Sequence, residues 1–184
     1  MIITVTGKPC SGKGTACKLI AKNKNFEYIS TGDMFRELSQ QSGQDILNFQ
    51  KNDNIKDIDK LIDDKIADIG KTRLNDNIII DSRLAWHFIP DSFKVFIDVD
   101  LDTASQRLMS SNRNTEQTTS LNESMRLLTE RWNLENSRYL ELYGINNLNL
   151  NNYDFVISSN NLTPEKVAKE IFDAYEKFIK NIKK

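Results

Sequence analysis

The chemistry most easily read in this chain lies in Gly7-Lys8-Pro9-Cys10-Ser11-Gly12-Lys13-Gly14-Thr15. Three of the seven glycines fall between positions 7 and 14. The segment follows a short run of β-branched residues, Ile2–Thr6, and leads into Ala16–Lys22, which reads as helix. A strand, a glycine-rich turn and a helix N-terminus in that order make a phosphate-binding P-loop. Glycines let the backbone bend tightly and come close to an anion. Successive N–H groups and the positive end of the helix then face the phosphates. Lys13 supplies a full positive charge to the outer phosphates, and Thr15 offers a hydroxyl to Mg²⁺. The whole segment, Gly7, Lys8, Pro9, Cys10, Ser11, Gly12, Lys13, Gly14 and Thr15, is the expected nucleotide-phosphate site. The alternative, a glycine-rich turn that binds nothing, is opposed by the agreement of motif and context.

Further charged residues stand where other strands should end. Asp33 and Arg36 follow Phe26–Ile29, while Asp81 and Arg83 follow Ile78–Ile80. Asp81 closes an apolar run, the position of an acid that helps order Mg²⁺, although a turn cap is an alternative use. Asp98 is a weaker candidate for the same task. Arg131 and Arg138 are seven apart with Glu135 between them, so the three share one side of a helix. Arg107 and Arg113 complete the set. Any one arginine could be an ordinary surface ion pair. Grouped at strand ends beside a P-loop, they suit a reaction between two phosphorylated anions, where catalysis rests on positioning and positive charge. A planar guanidinium grips phosphate oxygens bidentately. His87, the single histidine, reads as structural.

The elements that must position these groups alternate. Ile2–Thr6, Phe26–Ile29, Ile78–Ile80, Lys94–Val99 and Tyr153–Ile157 read as short buried strands. Gly32–Ser39, Leu101–Ser110, Leu121–Tyr143 and Thr163–Ile182 read as helices, the last with Thr163 as N-cap and Pro164 at its first position. The alternation predicts an α/β fold, a three-layer α/β/α sandwich around a five-stranded parallel sheet, with the site at the carboxyl ends of the strands. Ser42–Asn75 is predicted to be a small helical insertion. Asn112–Ser120, polar and without periodicity, is predicted to be a short lid that closes over the site.

Composition sets the remaining bounds. The formal net charge is −1 over 184 residues, which gives no reason to expect a nucleic-acid or membrane binder. Cys10 and Cys17 are too few and too close for a disulfide framework or a zinc site. The chain opens on a core strand, so the expectation is a cytoplasmic protein without a leader, and a monomer. Asparagines crowd Asn146–Asn152, which reads as compositional bias on a solvated surface.

The GKPCSGKGT form, with Gly14 between the lysine and the threonine, resembles the P-loop of nucleoside monophosphate kinases. Together with STGDMFRE, IIIDSRLAW, VFIDVDLDTASQRL, ERWNLENSRYLELYGI, NNYDFVISS and LTPEKV, in that order, it resembles the cytidylate kinase family, especially its short archaeal form. The resemblance covers nearly the whole chain. It implies ATP and Mg²⁺ as cofactors and CMP or dCMP as acceptor. It implies that Asp33, Arg36 and Arg83 bind the monophosphate. Arg107 would lie at the lid hinge near adenine or the phosphates, Arg131 and Arg138 would close on the transferring group, and Glu135 would stand near the ribose. A base pocket would form by Leu84, Ala85 and Trp86. Two alternatives stay open: a P-loop kinase acting on adenylate, shikimate or another small acceptor, and a nucleotide-binding regulatory protein without catalysis.

Overall fold

The computed structural model describes residues 1–111, 118 and 120–182. The strands are β1 (Ile3–Gly7), β2 (Glu27–Ser30), β3 (Ile78–Asp81), β4 (Phe93–Asp98) and β5 (Phe155–Ser158). The helices are α1 (Lys13–Lys24), α2 (Thr31–Gln41), α3 (Ile46–Phe49), α4 (Ile55–Thr72), α5 (Ala85–Phe88), α6 (Leu101–Met109), α7 (Leu121–Tyr143) and α8 (Pro164–Ile182).

The strands form one parallel sheet in the order β2-β3-β1-β4-β5. The chain moves outward from β1 to β2, returns to β3, then crosses β1 to reach β4. This reversal beside β1 opens a crevice at the strand ends, where ligands bind in such sheets. Alternation along the strands divides the core between two faces. Ile3, Val5, Ile79, Val95 and Ile97 pack against Ala16, Cys17 and Ile20 of α1 and Val167, Ile171 and Tyr175 of α8. Ile2, Ile78 and Ile80 face the other way, against Ile66 of α4, Ala85 and Ile89. Each isoleucine so buried stabilises the fold by roughly 2 kcal/mol.

Helix ends follow the expected chemistry. Ser30, Asp45, Asp100 and Ser120 each cap a helix by accepting from a backbone N–H of its first turn. Thr163 does the same for Lys166 at the start of α8. The second half of α4, through Ile66 and Ile69, belongs to the sheet's own core, although the whole of Ser42–Asn75 reads as an insertion in sequence. The asparagine-rich run is also more than surface. Asn147 is buried, and its side-chain oxygen accepts from Trp86 Nε1 at 3.1 Å, so a half-buried indole N–H finds its acceptor there. Residues 112–117 and 119, which include Arg113 and most of the expected lid, lie outside the described residues.

Candidate active site

The P-loop is built by backbone conformation. Gly7 has φ 153°, and a Cβ there would lie 2.2 Å from the Ile97 carbonyl oxygen, so only glycine lets β1 pass β4 this closely. Gly12, at φ 86°, is the N-cap of α1, and no side chain caps that helix. The first N–H groups of α1 are thereby left to face an anion. Lys13, the first residue of α1, is buried and donates to the carbonyls of Gly7 at 3.0 Å and Lys8 at 3.1 Å. Burial, reinforced by Arg83 and Arg131, lowers its ammonium to about 7 against the pull of Asp81 and Glu135. A polyphosphate would supply the negative charge that this ammonium lacks.

Glu135 organises the neighbouring arginines. It accepts from Arg83 Nε at 2.6 Å, Arg131 Nε at 2.9 Å and Gln50 Nε2 at 3.0 Å, and it is 3% exposed. Burial alone would raise this carboxyl, but Arg83 and Arg131 overcome it and hold it well below the usual carboxylate range. Arg83 also donates to Gly7 O at 2.6 Å, which joins the end of β3 to the P-loop. Arg36 pairs with Asp33 at 2.5 Å, and Lys18 lies 3.8 Å from the same carboxylate.

Thr15 and Asp81 line the cavity together. A Cβ on Gly14 would lie 3.3 Å from Asp81 Oδ2 and 3.4 Å from the Tyr28 hydroxyl, so glycine leaves room beside Asp81. Hard oxygen donors suit Mg²⁺, which keeps waters and takes one or two carboxylates besides substrate phosphates. Thr15 and Asp81 are the residues of this lining that could hold such an ion.

The opposite wall comes from α3, the turn after it and α4. Gln50, Asp59, Ile62 and Asp63 line the same cavity as Arg131, Glu135, Arg138 and Tyr139 of α7. Asp59 accepts from Arg138 Nε at 2.7 Å, and Asp63 accepts from the Tyr143 hydroxyl at 2.9 Å. Lys51 pairs with Glu130 at 2.6 Å and Lys56 pairs with Glu141. These four contacts, with that of Gln50 to Glu135, lie along α7, so this wall is latched to that helix by charge and hydrogen bonds. Gln50, Asp59 and Asp63 are absent from the sequence expectations. For the burial of the two acids, though not for their partners or for Gln50, a signal was present: Ile55, Ile62 and Ile66 mark the buried side of α4, and Asp59 and Asp63 fall one turn apart on that side.

Burial raises both acids. The Asp63 carboxyl is pushed to about 7, with Asp59 and Asp64 adding repulsion and the Tyr143 hydrogen bond opposing. Asp59 is raised by burial despite Arg138. A carboxyl raised on folding contributes stability that is full below the unfolded value near 4 and lost as pH rises through about 7. Asp63→Asn removes that dependence. Relative to wild type it is expected to gain several degrees in Tm on going from pH 5 to pH 8, measured by thermal unfolding. An unchanged difference between the two pH values would show that Asp63 titrates normally.

The other expected residues lie around this cavity with mixed outcomes. Pro9 to Thr15, Asp33, Arg36, Asp81, Arg83, Arg131, Glu135 and Arg138 line it. Gly7 and Lys8 stand behind it and act through their carbonyls. The Lys8 side chain pairs with Asp98 at 2.8 Å, and Asp98 is not among the residues that line the cavity. Arg107 donates to Cys10 O at 3.3 Å, Ser159 Oγ at 2.9 Å and Ser159 O at 2.7 Å, bracing the outer side of the P-loop. Of Leu84, Ala85 and Trp86, only Leu84 reaches the cavity; Ala85 is in the core and Trp86 stacks edgewise on Tyr153. His87 packs among Trp86, Phe88 and Tyr143. Among the described residues, no helix is long and apolar enough to cross a membrane.

Comparison with known proteins agrees with the geometry. The model of the cytidylate kinase-like family matches residues 2–161. The chain is 34% identical to the cytidylate kinase of Sulfurisphaera tokodaii over 99% of both chains. It is 33% identical to an S-adenosylmethionine-dependent nucleotide dehydratase of Lacinutrix mariniflava, covering 95% of this chain but 36% of that protein. The fold is shared with shikimate kinase from Aquifex aeolicus at TM-score 0.57 and 21% identity, over 96% of each chain. Because the family match runs through the P-loop, the Arg83 strand end and the Arg131–Arg138 stretch of α7 alike, this chain belongs to the cytidylate kinase-like family.

Proposed function

We propose that this protein transfers the terminal phosphoryl group of ATP to CMP or dCMP, with Mg²⁺, giving ADP and the nucleoside diphosphate. The observation that carries the reading is a single cavity lined by two unlike sets of groups. One set is the P-loop with Lys13, Arg83 and Arg131. The other is Asp59, Ile62 and Asp63, which suit a sugar and base rather than a phosphate, and Gln50 joins the two through Glu135.

The acceptor phosphate is already anionic, so no side chain need remove a proton. An oxygen of that phosphate attacks the γ-phosphorus, and the bond to the ADP oxygen breaks. Lys13 and the N-terminus of α1 hold the donor phosphates. Arg36 and Arg83 hold the acceptor phosphate, and Asp33 keeps Arg36 in place. Arg131, fixed by Glu135, places charge on the transferring group. Bound Mg²⁺, held through Thr15 and Asp81, would neutralise charge on the outer phosphates. Arg138, engaged with Asp59, serves the acceptor wall. Within the insertion expected at 42–75, the part up to residue 63 acts as the acceptor-binding unit, while most of the lid expected at 112–120 lies outside the described residues. Action as a cytoplasmic monomer is part of this proposal.

A coupled assay with ATP and a panel of monophosphates tests this. CMP and dCMP are expected to be the best acceptors, UMP weaker and AMP poor. A kcat/KM for AMP above that for CMP would overturn the base assignment and leave the monophosphate kinase reading standing.

A further inference from the structure

Gly14, between Lys13 and Thr15, leaves a small space that two oxygens from other strands approach. A Cβ built there would lie 3.3 Å from Asp81 Oδ2, at the end of β3, and 3.4 Å from the Tyr28 hydroxyl, on β2. Both oxygens are thus within reach of one water placed over Gly14. Asp81 is 9% exposed and lines the cavity. The Thr31 hydroxyl engages it through the backbone carbonyl, at 3.4 Å, and not through the carboxylate. Tyr28 is half-buried and lines the same cavity. Lys18 stands over its ring, 5.3 Å from the centroid. The Tyr28 hydroxyl has the Ser30 side chain as a partner, and Ser30 Oγ also accepts from Asp33 N–H at 3.1 Å. One such bond leaves the phenolic oxygen able to accept another. Burial first, then the charge of Asp81, push the phenol up against the Ser30 bond, so it stays neutral.

Two acceptors around one gap, a carboxylate and a neutral phenol, call for a donor that carries two hydrogens. We propose that Tyr28 is a positioning residue for Mg²⁺: its oxygen and Asp81 Oδ2 each accept one hydrogen from a single water of the ion's shell, beside Thr15. This rests on the function proposed above. Mg²⁺ gives up its waters reluctantly and is bound through one or two carboxylates besides substrate phosphates, so a protein holds it largely by those waters. A water polarised by the ion donates more strongly than a free one, and a carboxylate and a phenol are both suitable acceptors. Asp81 supplies charge, and Tyr28 supplies a second fixed direction that one carboxylate cannot. Partners at this remove from a metal are worth about 10–100-fold in affinity or activity.

Tyr28→Phe provides the test, because it removes the hydroxyl and keeps the ring. Mn²⁺ is the probe, titrated by electron paramagnetic resonance into enzyme held in excess over ATP. Its apparent Kd is expected to rise at least about tenfold in the variant. The Mg²⁺ concentration for half-maximal turnover at fixed ATP should rise by a similar factor, with the KM for CMP unchanged. A merely structural role would lower Tm and weaken CMP as well, and would not move the Mn²⁺ titration. A folded Tyr28→Phe whose Kd for Mn²⁺ stays within about threefold of wild type overturns the proposal. Gly14→Ala gives a second reading with Tyr28 in place. Its methyl enters the space between the two oxygens, so Mn²⁺ affinity should fall at least as far, and combining the two changes should add little. Unchanged Mn²⁺ affinity in Gly14→Ala, or fully additive losses, overturns the proposal. Wild type whose bound ATP holds Mn²⁺ no better than free ATP defeats the metal assignment of the proposed function itself. Wild type that holds the ion, with both variants matching it, defeats only the role of Tyr28.

Discussion

Lys13→Ala is expected to lower kcat by about a thousandfold while leaving the melting temperature at neutral pH no lower than that of wild type. The two parts have one cause. Lys13 is held between Arg83, Arg131 and the P-loop carbonyls, and burial lowers its ammonium from 10.5 to about 7. A lysine whose value falls on folding binds protons less well in the folded state. Charging it therefore costs stability as pH falls from about 10.5 towards 7, and alanine removes that cost. The same ammonium is fully charged once it faces phosphates. Nucleotide binding between pH 7 and 8 should accordingly take up protons in wild type and fewer in the variant. Titration calorimetry in buffers of different ionisation enthalpy reads this directly, alongside steady-state kinetics. A folded variant with near-normal turnover would refute the P-loop assignment.

The second large effect is expected at Glu135. Glu135→Gln keeps the shape but removes the charge that Arg83 and Arg131 share, and its amide nitrogen must face an arginine donor. Breaking a buried ionic arrangement by removing one partner costs about 3–5 kcal/mol. For a chain of this length that corresponds to roughly 10 °C or more in Tm. Below the melting range kcat should fall about a hundredfold, because Arg83 and Arg131 lose the group that aims them. The wild-type contribution of Glu135, whose carboxyl is held well below 4.5, is present above that pH and lost as pH falls through its folded value. The stability gap between variant and wild type should therefore close in acid. A variant with unchanged Tm and kcat would show that the arginines are positioned by other means.

Glu135 also shows how far sequence reading reaches. Its place between Arg131 and Arg138 on one side of a helix follows from periodicity alone, and both arginines line the cavity as that periodicity requires. Resemblance suggested a contact with ribose. The structure instead surrounds the carboxylate with Arg83, Arg131 and Gln50. Those partners come from β3's end, from one turn earlier on α7, and from the segment between α3 and α4. No local pattern could join the last of these to position 135.

The boundaries of the strands tell a similar story. Ile78–Ile80 was legible as a strand because three consecutive isoleucines suit burial on both faces. That Asp81 is the last residue of β3 and approaches Gly14 depends on the register of β1 with β3, in which Val5 lies opposite Asp81. The expected strand at Tyr153–Ile157 begins two residues later, at Phe155, because Tyr153 is drawn into an aromatic cluster with Trp86 and Phe96.

The sequence by itself determined the α/β alternation and the P-loop with its lysine. It also determined the arginines at the strand ends, because these are contiguous or periodic features fixed by local backbone geometry. Only the tertiary structure decided which of those charges neutralise one another. Lys8 pairs with Asp98, Arg107 is committed to Cys10 and Ser159, and Arg138 is held by Asp59. Only it revealed Gln50, Asp59 and Asp63 as a wall of the cavity, since they meet α7 across 85, 79 and 80 residues of chain. Contacts between groups so distant in sequence leave no periodic trace, and it is packing that turns those residues toward one another.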